Sequence, residues 1–193
     1  MTIDAASTAL LVIDILVTES PDAVYATNPE EEALVANAAQ LTRAARGAGM
    51  PGLFLCAQHI PGIDRELSLW GEHGMRGEAH PHPALEAGSG SRDFVIPKRR
   101  YSGFFQTDLD LTLRELGVKT VIAVGEDTNI CVLHTRADAW NLGYSSIVAS
   151  DATRTFLVGT QEGGLEHMQR CFGTTVATTR EILAALPDPH EKR

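Results

Sequence analysis

The sequence has little cysteine, and its three cysteines lie far apart. Cys56, Cys131 and Cys171 are too few and too scattered for a disulfide framework, and none of them belongs to a CxxC metal-binding pair. We therefore expect any cysteine with a special role in this protein to act as a thiol.

Basic residues are in the minority. The chain has 16 Lys and Arg against 25 Asp and Glu, which gives a formal net charge of -9. This charge opposes nonspecific binding to the phosphates of nucleic acids and to anionic membranes. We therefore expect neither nucleic acid nor membrane as a partner.

Long apolar runs are missing as well. The run at residues 9–13 is far too short to span a bilayer, and residues 1–4 lack the basic segment that begins a signal peptide. These two features predict a cytoplasmic protein.

The chain does contain a regular alternation of short apolar runs and helix-like patterns. Its 193 residues suit one domain, which we predict to span residues 1–193. Strands that alternate with helices predict the α/β class, here a three-layer sandwich with a six-stranded, mostly parallel sheet flanked by helices. The predicted strands lie at residues 9–13, 52–57, 93–97, 120–124, 145–149 and 174–177. The predicted helices lie at residues 29–47, 107–116, 129–142, 162–170 and 180–186.

Three chemically active side chains lie where a parallel sheet places its ligands, at the carboxyl ends of strands. Asp14 follows the first strand and Lys98 the third, while Cys131 lies in the first turn of the helix after the fourth. The positive end of that helix favours a thiolate. Each residue alone has an ordinary structural explanation. Together they supply a nucleophile, a proton acceptor and a cation, which are the groups that covalent acyl transfer needs.

Motifs of other enzyme classes are missing. The loop at residues 125–129 contains neither GxGxxG nor GxxxxGK[ST], and no GxSxG occurs in the chain. Nothing there indicates a dinucleotide site, a P-loop or a serine nucleophile elbow. Cys56 inside a strand and Cys171 at a helix end lack an activating environment, so we interpret both as structural.

Three segments carry a resemblance to a known family. Residues 9–14 read ALLVID, residues 98–109 read KRRYSGFFQTDL, and residues 124–132 read VGEDTNICV. In this order they resemble the isochorismatase-like cysteine hydrolases, which include nicotinamidases and the amidohydrolases of N-carbamoylsarcosine, ureidoacrylate, biuret and maleamate. The resemblance covers nearly the whole chain. It implies a Rossmann-type sheet, a small-molecule substrate and self-association into a homo-oligomer.

The same resemblance implies roles for individual residues. It places a catalytic triad on Asp14, Lys98 and Cys131, with Asp14 as general base and Cys131 as nucleophile. It also implies a cis peptide between Glu126 and Asp127. The backbone N–H groups of Asp127 and Cys131 would then form the oxyanion hole.

Two features depart from the family pattern. Many relatives begin with DxQxDF, whereas residues 14–19 read DILVTE here, which argues against nicotinamide as the substrate. Glu126 stands where an aliphatic residue is usual, and we count it among the candidate substrate-binding residues, where its extra carboxylate could select a polar or cationic substrate. A solvated loop glutamate is the more frequent explanation for such a residue. The aromatic residues considered for the pocket wall are Trp70, Tyr101, Phe104 and Phe105.

The metal site of nicotinamidases is incomplete in this sequence. Those enzymes hold a divalent metal with an Asp-x-His pair and a later His. The aspartate position is Ala57 here, while His59 and His73 remain. Two imidazoles without a carboxylate make a poor site unless Asp64 or Glu66 substitutes. We therefore predict no metal and no other cofactor, and we assign His59 to the substrate pocket.

The leading interpretation is a cysteine-dependent amidohydrolase that needs no metal. It would cleave a carbon–nitrogen bond of a small linear amide or carbamoyl compound through a thioester. A nicotinamidase-type, metal-assisted amidase and a noncatalytic binding protein on the same fold stay open as alternatives.

Overall fold

The main feature of the fold is a six-stranded parallel sheet, seen in a computed structural model that describes residues 1–17 and 29–187. The strand order across the sheet is β5-β3-β1-β6-β7-β8, and all neighbouring strands run parallel. The predicted α/β class is confirmed. The strands of this sheet are β1 (Thr8–Ile13), β3 (Gly52–Ala57), β5 (Asp93–Lys98), β6 (Thr120–Glu126), β7 (Ser145–Arg154) and β8 (Thr175–Ala177).

Helices cover both faces of the sheet. Leu34 and Ile182 bring the first and last helices onto one face, while Leu113 and Met168 belong to the core on the other. The result is the expected three-layer sandwich. The helices are α1 (Pro29–Gly47), α2 (Leu67–Trp70), α3 (Leu109–Glu115), α4 (Leu133–Asn141), α5 (Gln161–Phe172) and α6 (Thr179–Ala185).

The central strand β1 shows why the apolar runs are continuous. Leu10 and Val12 belong to the core on the α1 side, and Leu11 and Ile13 belong to the core on the α4 side. Because a parallel strand is buried on both faces, no polar alternation appears in its sequence. The polar residue that follows, Asp14, therefore marks the end of the strand.

The irregular segment at residues 58–92 contains short elements that the sequence did not reveal. Besides α2, it includes β4 (His80–Pro81), which pairs antiparallel with β2 (Leu16–Val17). A two-residue strand is too short to show the period-two pattern from which strands are predicted. This segment carries His59, Trp70 and His73 to the carboxyl edge of the sheet.

Two strands run further than predicted. The sequence places their ends at residues 124 and 149, but β6 reaches Glu126 and β7 reaches Arg154. After an irregularity, the pairing resumes with Gly125 opposite Thr153 and Glu126 opposite Arg154. Gly125 has φ 127°, and a Cβ there would overlap the carbonyl oxygen of Ile13. The glycine, which suggested a loop, instead allows two strands to approach closely.

The helix after β6 also begins differently. The sequence predicts its start at about residue 129, but the chain first forms a π-helical turn at Thr128–Val132 before α4. Thr107 is predicted to cap the next helix. That helix begins at Leu109, and the Thr107 hydroxyl accepts a hydrogen bond from the Leu109 N–H at 3.2 Å. Within residues 1–17 and 29–187, no helix has both the length and the hydropathy of a membrane span.

Candidate active site

Asp14, Lys98 and Cys131 meet at the carboxyl edge of the sheet. Lys98 Nζ lies 2.6 Å from Asp14 Oδ2 and 3.4 Å from Cys131 Sγ. It also donates a hydrogen bond to the Arg100 carbonyl oxygen at 3.1 Å. The Lys98 side chain is 1% exposed and that of Asp14 is 11% exposed. One buried ammonium thus contacts both the carboxylate and the sulfur.

The backbone around β1 and β3 fixes the Asp14 carboxylate. Asp14 takes a left-handed conformation, with φ 51°, directly after β1, and its N–H donates to the Leu55 carbonyl at 2.9 Å. Aspartate adopts this conformation more readily than most residues. The Ala57 N–H then donates to Asp14 Oδ1 at 2.8 Å. Since Ala57 pairs with Lys98 across β3 and β5, carboxylate and ammonium meet through strand register.

Asp127 anchors the turn that carries Cys131. One of its carboxylate oxygens accepts a hydrogen bond from the Asn129 N–H at 2.7 Å, as a helix cap does. The other accepts hydrogen bonds from the N–H groups of Phe156 and Leu157 at 2.8 and 2.9 Å. The carboxylate therefore joins the start of the π-helical turn to the chain after β7. The peptide between Glu126 and Asp127 is cis, as the family resemblance implies.

Burial and neighbouring charges act in opposite directions on the pKa values of Cys131 and Lys98. Burial raises the pKa of the Cys131 thiol well above its usual value, Lys98 lowers it, and Asp14 raises it by its charge and as a hydrogen-bond acceptor. Desolvation thus opposes the effect of the helix start, which by itself favours a thiolate. Burial lowers the pKa of Lys98, but Asp14 and Cys131 raise it to a net value above normal. Lys98 is therefore charged beside a neutral thiol.

The three residues line one cavity together with all four predicted pocket residues. The Trp70 indole N–H donates to the Tyr101 hydroxyl at 3.0 Å, which holds the two rings together on one wall. The predicted set is His59, Trp70, Tyr101 and Glu126, and the further lining residues are Leu16, Ala57, Glu66, His73, Gly74, Asp127, Ile130, Phe156 and Leu157.

Comparison with known proteins places the chain in a family. The profile of the family described as Isochorismatase domain matches residues 8–181. The chain belongs to the isochorismatase family. N-carbamoylsarcosine amidase from Thermoplasma acidophilum has a similar structure, with TM-score 0.80, 34% identity, and coverage of 90% of this chain and 96% of that one. Pyrazinamidase/nicotinamidase from Streptococcus mutans gives TM-score 0.79 and 33% identity, covering 89% of this chain and 100% of that one.

Curated relatives match over a shorter length. Ureidoacrylate amidohydrolase RutB from Methylorubrum extorquens is 39% identical over 102 residues, which is 52% of this chain and 41% of that protein. RutB from Agrobacterium fabrum is 44% identical over 98 residues, which is 49% of this chain and 41% of that protein. These matches thus span less than half the length of the relatives. They support the family without transferring a substrate.

Phe156 and Leu157 are wall residues that the sequence prediction missed. They follow β7 at the same edge of the sheet as Asp14 and Lys98. The rule that identified Asp14 would have found them if the end of β7 had been placed at Arg154. Phe104 and Phe105 are the opposite case, because the sequence suggested them for the cavity wall and the structure places them elsewhere. Phe104 stacks on Tyr144 at 5.8 Å and Phe105 is 50% exposed, and neither lines the cavity.

Glu126 is 4% exposed. Its Oε2 accepts a hydrogen bond from Arg154 Nε at 3.0 Å, and Arg154 Nη2 lies 2.8 Å away. Burial raises the pKa of Glu126 to about 7, while Arg154 lowers it. The alternative of a solvated loop glutamate is wrong, because β6 continues through this residue and places it in the cavity wall.

A cluster of His59, Glu66 and His73 fits a divalent metal. One donor atom from each residue lies within 4.8 Å of the others, and both imidazole Nε2 atoms face Glu66 Oε1, at 3.7 and 3.5 Å. Two imidazoles and a carboxylate are a donor set that Zn²⁺ accepts. Burial lowers the pKa of His59, which keeps the imidazole neutral as a metal ligand requires. Glu66 thus offers the carboxylate that Ala57 does not supply.

Asp64, the other substitute considered for a metal ligand, is already engaged. It accepts hydrogen bonds from Arg99 at 2.6 Å, from Arg100 at 3.1 Å and from the Ile60 N–H at 2.8 Å. The hydrogen bond from Arg99 holds the pKa of Asp64 far below its usual value. Asp64 therefore holds the loop that carries His59, and Glu66 is the acidic residue that completes the candidate donor set with His59 and His73.

Proposed function

We propose that this protein is a cysteine-dependent amidohydrolase. It cleaves a carbon–nitrogen bond of a small linear amide or carbamoyl compound through a thioester. The observation that carries the proposal is the contact of Lys98 Nζ with both Asp14 and Cys131, at 2.6 and 3.4 Å. The names of the RutB and N-carbamoylsarcosine amidase relatives support the same class of bond.

The first half of the reaction forms the thioester. Asp14 accepts the thiol proton of Cys131, and the Lys98 ammonium stabilises the thiolate. The sulfur attacks the carbonyl carbon, and a carbon–sulfur bond forms as the carbonyl oxygen becomes an oxyanion. The oxyanion then collapses and the carbon–nitrogen bond breaks. Asp14 returns its proton to the departing nitrogen, which leaves as ammonia or an amine.

The second half returns the enzyme to its starting state. The Asp14 carboxylate accepts a proton from water as the water oxygen attacks the thioester carbon. The carbon–sulfur bond breaks, the acid product leaves, and Cys131 regains a proton from Asp14. Atoms and charges balance over the two halves.

Backbone N–H groups of Asp127 and Cys131 would bind the oxyanion. The Asp127 N–H donates to no acceptor among residues 1–17 and 29–187, so it is available for a ligand. Removing one oxyanion-hole donor costs other enzymes about 10² to 10³ in kcat, so this pair contributes a large share of the rate.

The test is a panel of small amides, ureas and carbamates followed by ammonia release. Wild-type protein is expected to hydrolyse at least one compound, and mass spectrometry is expected to find an acyl adduct on the Cys131 peptide. Cys131→Ala should lose both signals while Cys56→Ala keeps them. Turnover that survives in Cys131→Ala would contradict the proposal.

A second candidate is a metal-assisted amidase of the nicotinamidase type. One observation favours it, the convergence of His59, Glu66 and His73 on one point. These residues would hold a divalent metal, which supplies Lewis-acid polarisation of a substrate atom when bound. Metal analysis of protein prepared without a polyhistidine tag tests this candidate, with Glu66→Gln as the variant that should lose the metal. Full amidase activity in metal-free protein would favour the metal-independent enzyme.

The family resemblance also supports a homo-oligomeric enzyme in the cytoplasm with a small-molecule substrate. Light scattering on the purified chain measures the oligomeric state directly. A monomer at micromolar concentration would contradict the proposed homo-oligomer and would leave the proposed amide hydrolysis unaffected.

A further inference from the structure

The cavity that holds the reactive thiol has an unusual charge balance. Among the described residues that line it, four carry a carboxylate and only Lys98 is a lysine or arginine. Lys98 is already paired with Asp14 at 2.6 Å. The four carboxylate residues are Asp14, Glu66, Glu126 and Asp127.

The arginines near the cavity do not compensate its excess of negative charge, because each of them contacts a carboxylate. Arg99 and Arg100 contact Asp64 at 2.6 and 3.1 Å and do not line the cavity. Arg154 contacts Glu126 and also approaches Glu31 at 3.7 Å, so its charge is shared with two carboxylates. A substrate carboxylate would therefore meet no uncommitted cation among the described residues that form the wall.

Glu126 is the acid in this set that is best placed to act on a ligand. Asp14 is engaged by Lys98, and the Asp127 oxygens accept three backbone N–H groups. The hydrogen bond and the closest contact from Arg154 both reach the Oε2 atom of Glu126. Its second oxygen accepts no hydrogen bond from the described residues and remains free to accept one from a ligand.

We propose that this site selects amides or ureas whose unreacting end is cationic or rich in N–H donors and rejects those that carry a carboxylate, with Glu126 as the discriminating group. The inference rests on the proposed amidohydrolase function and names its substrate class. It separates this chain from enzymes for ureidoacrylate and N-carbamoylsarcosine, since both compounds carry a carboxylate.

A matched substrate series tests the selectivity. 3-Aminopropanamide, butanamide and succinamate share the same propanamide unit. They differ in the distal group, which is an ammonium, a methyl group and a carboxylate, respectively. At about pH 8, where Glu126 is ionised, kcat/KM should be lowest for succinamate, by about tenfold or more relative to butanamide. Glu126→Gln should reduce that ratio severalfold. Glu115→Gln, an exposed acid of α3 outside the cavity, is the control and should preserve it.

An alkylation experiment separates this inference from the proposed function. Iodoacetamide and iodoacetate have nearly the same shape and differ in charge. The rate of Cys131 alkylation by iodoacetamide is divided by its rate with iodoacetate, and this ratio is normalised to the same ratio for the unfolded chain. The normalised ratio should be about five or more. In Glu126→Gln the normalised ratio should approach one.

The outcomes are distinguishable. Equal or faster reaction with iodoacetate and with succinamate would overturn the selectivity and leave amide hydrolysis standing. Failure of every amide, together with preferential iodoacetamide labelling, would overturn the proposed hydrolysis while the charge preference of the cavity stands. Thermal unfolding of Glu126→Gln confirms that the variant is folded.

A second observation, at the opposite edge of the sheet, carries an independent inference. Arg136 of α4 is 2% exposed. Its Nε donates to Thr174 Oγ1 at 2.9 Å and its Nη2 donates to the Phe172 carbonyl at 3.3 Å, but Nη1 has no partner. No carboxylate in residues 1–17 and 29–187 lies within ion-pair distance. Burial lowers the pKa of Arg136 to about 10, so it is still cationic at neutral pH.

This guanidinium borders an open cavity of about 420 Å³ whose exposed surface is mostly polar. Ser145 and Ser146 at the start of β7 and Thr175 at the start of β8 supply hydroxyl groups. A buried cation is stable only with a compensating anion or hydrogen-bond acceptors. We infer that this cavity binds a small oxyanion such as phosphate or a carboxylate, with Arg136 as its charge partner.

Inorganic phosphate is the probe for this second site. The melting temperature should rise saturably with phosphate, relative to chloride of equal ionic strength, and this rise should vanish in Arg136→Met. Arg170→Met, which removes an exposed arginine of α5, should keep it. A phosphate effect that is absent, or equal in Arg136→Met, would overturn the inference. A change of oligomeric state in Arg136→Met without a phosphate effect would overturn it too, and would assign the anion to a second copy of the chain.

Discussion

Two thiols lie within electrostatic reach of Asp14 and Lys98, and their surroundings differ in one decisive way. Cys56 is buried inside β3, where its sulfur donates only to its own strand, to the Phe54 carbonyl at 3.6 Å. Burial and the charge of Asp14 raise its pKa to about 12, and Lys98 lowers it. Cys131 lies against the cavity, with its sulfur 3.4 Å from the Lys98 ammonium.

Desolvation alone does not distinguish Cys131 from Cys56. Burial raises the pKa of both sulfurs. Cys131 differs because its sulfur lies 3.4 Å from the Lys98 ammonium and because it lines the cavity, whereas Cys56 does not.

The largest expected effect separates the two cysteines directly. Cys131→Ala should reduce kcat/KM by about 10⁴-fold or more, as expected when the nucleophile of a covalent mechanism is removed. Cys56→Ala should stay within about threefold of wild type, since its sulfur does not reach the cavity. Steady-state ammonia release measures both. Comparable losses in the two variants would mean that β3 packing, rather than thiol chemistry, limits turnover.

The Lys98 contact should account for the next largest effect. Lys98→Met removes the cation that stabilises the Cys131 thiolate, and kcat should fall by about 10² to 10³. Lys119→Met, at an exposed lysine before β6, is the matched control and should leave kcat unchanged. Wild-type kcat in Lys98→Met would show that the ammonium is a structural partner of Asp14 alone.

The pH dependence of alkylation sharpens the difference further. Because the pKa of Cys131 is raised, its thiolate fraction lies below that of a free thiol, and its reaction with iodoacetamide should keep rising above about pH 8.5. Cys56 should stay unmodified throughout this range in the folded protein. Peptide mass spectrometry resolves the two sites from the exposed Cys171. A plateau below pH 8 at Cys131 would mean that Lys98 outweighs desolvation.

The smallest effect is on stability. Cys56→Ser places a hydroxyl in an apolar environment and should lower the free energy of unfolding by about 1 to 3 kcal/mol. Cys131→Ser lies at the cavity, where the hydroxyl can contact Lys98 and water, and should change it by less than about 0.5 kcal/mol. Denaturant titration measures both values. Equal losses would contradict the assignment of Cys56 to the core.

Much of this arrangement could be predicted from the sequence because it depends on local signals. Apolar runs that end at Asp14 and Lys98 identify the strands, and the end of a parallel strand locates the ligand edge. The order of strands and helices then follows from their alternation. These signals need no knowledge of contacts between distant residues, which explains why the sheet and the three cavity residues were found together.

The remaining features depend on contacts that a linear pattern does not contain. β7 continues to Arg154 through the polar pair Ser150 and Asp151, so the apolar run ended before the strand did. The environment of Glu126 follows from Arg154, which is 28 residues away. The raised pKa of Cys131 likewise depends on how completely the folded chain encloses its sulfur. A helix start predicts a favourable dipole but not the cost of desolvation.

Because Gly125 has no side chain, substitutions at this position affect the spacing of the central strands. The close approach of β6 to Ile13 is a contact between main chains, and any Cβ would push the two central strands apart. Gly125→Ala should therefore shift sulfur and carboxylate relative to each other even though no reactive atom is replaced. The separation of these two groups thus depends on backbone packing, and a substitution that contacts neither side chain can change it.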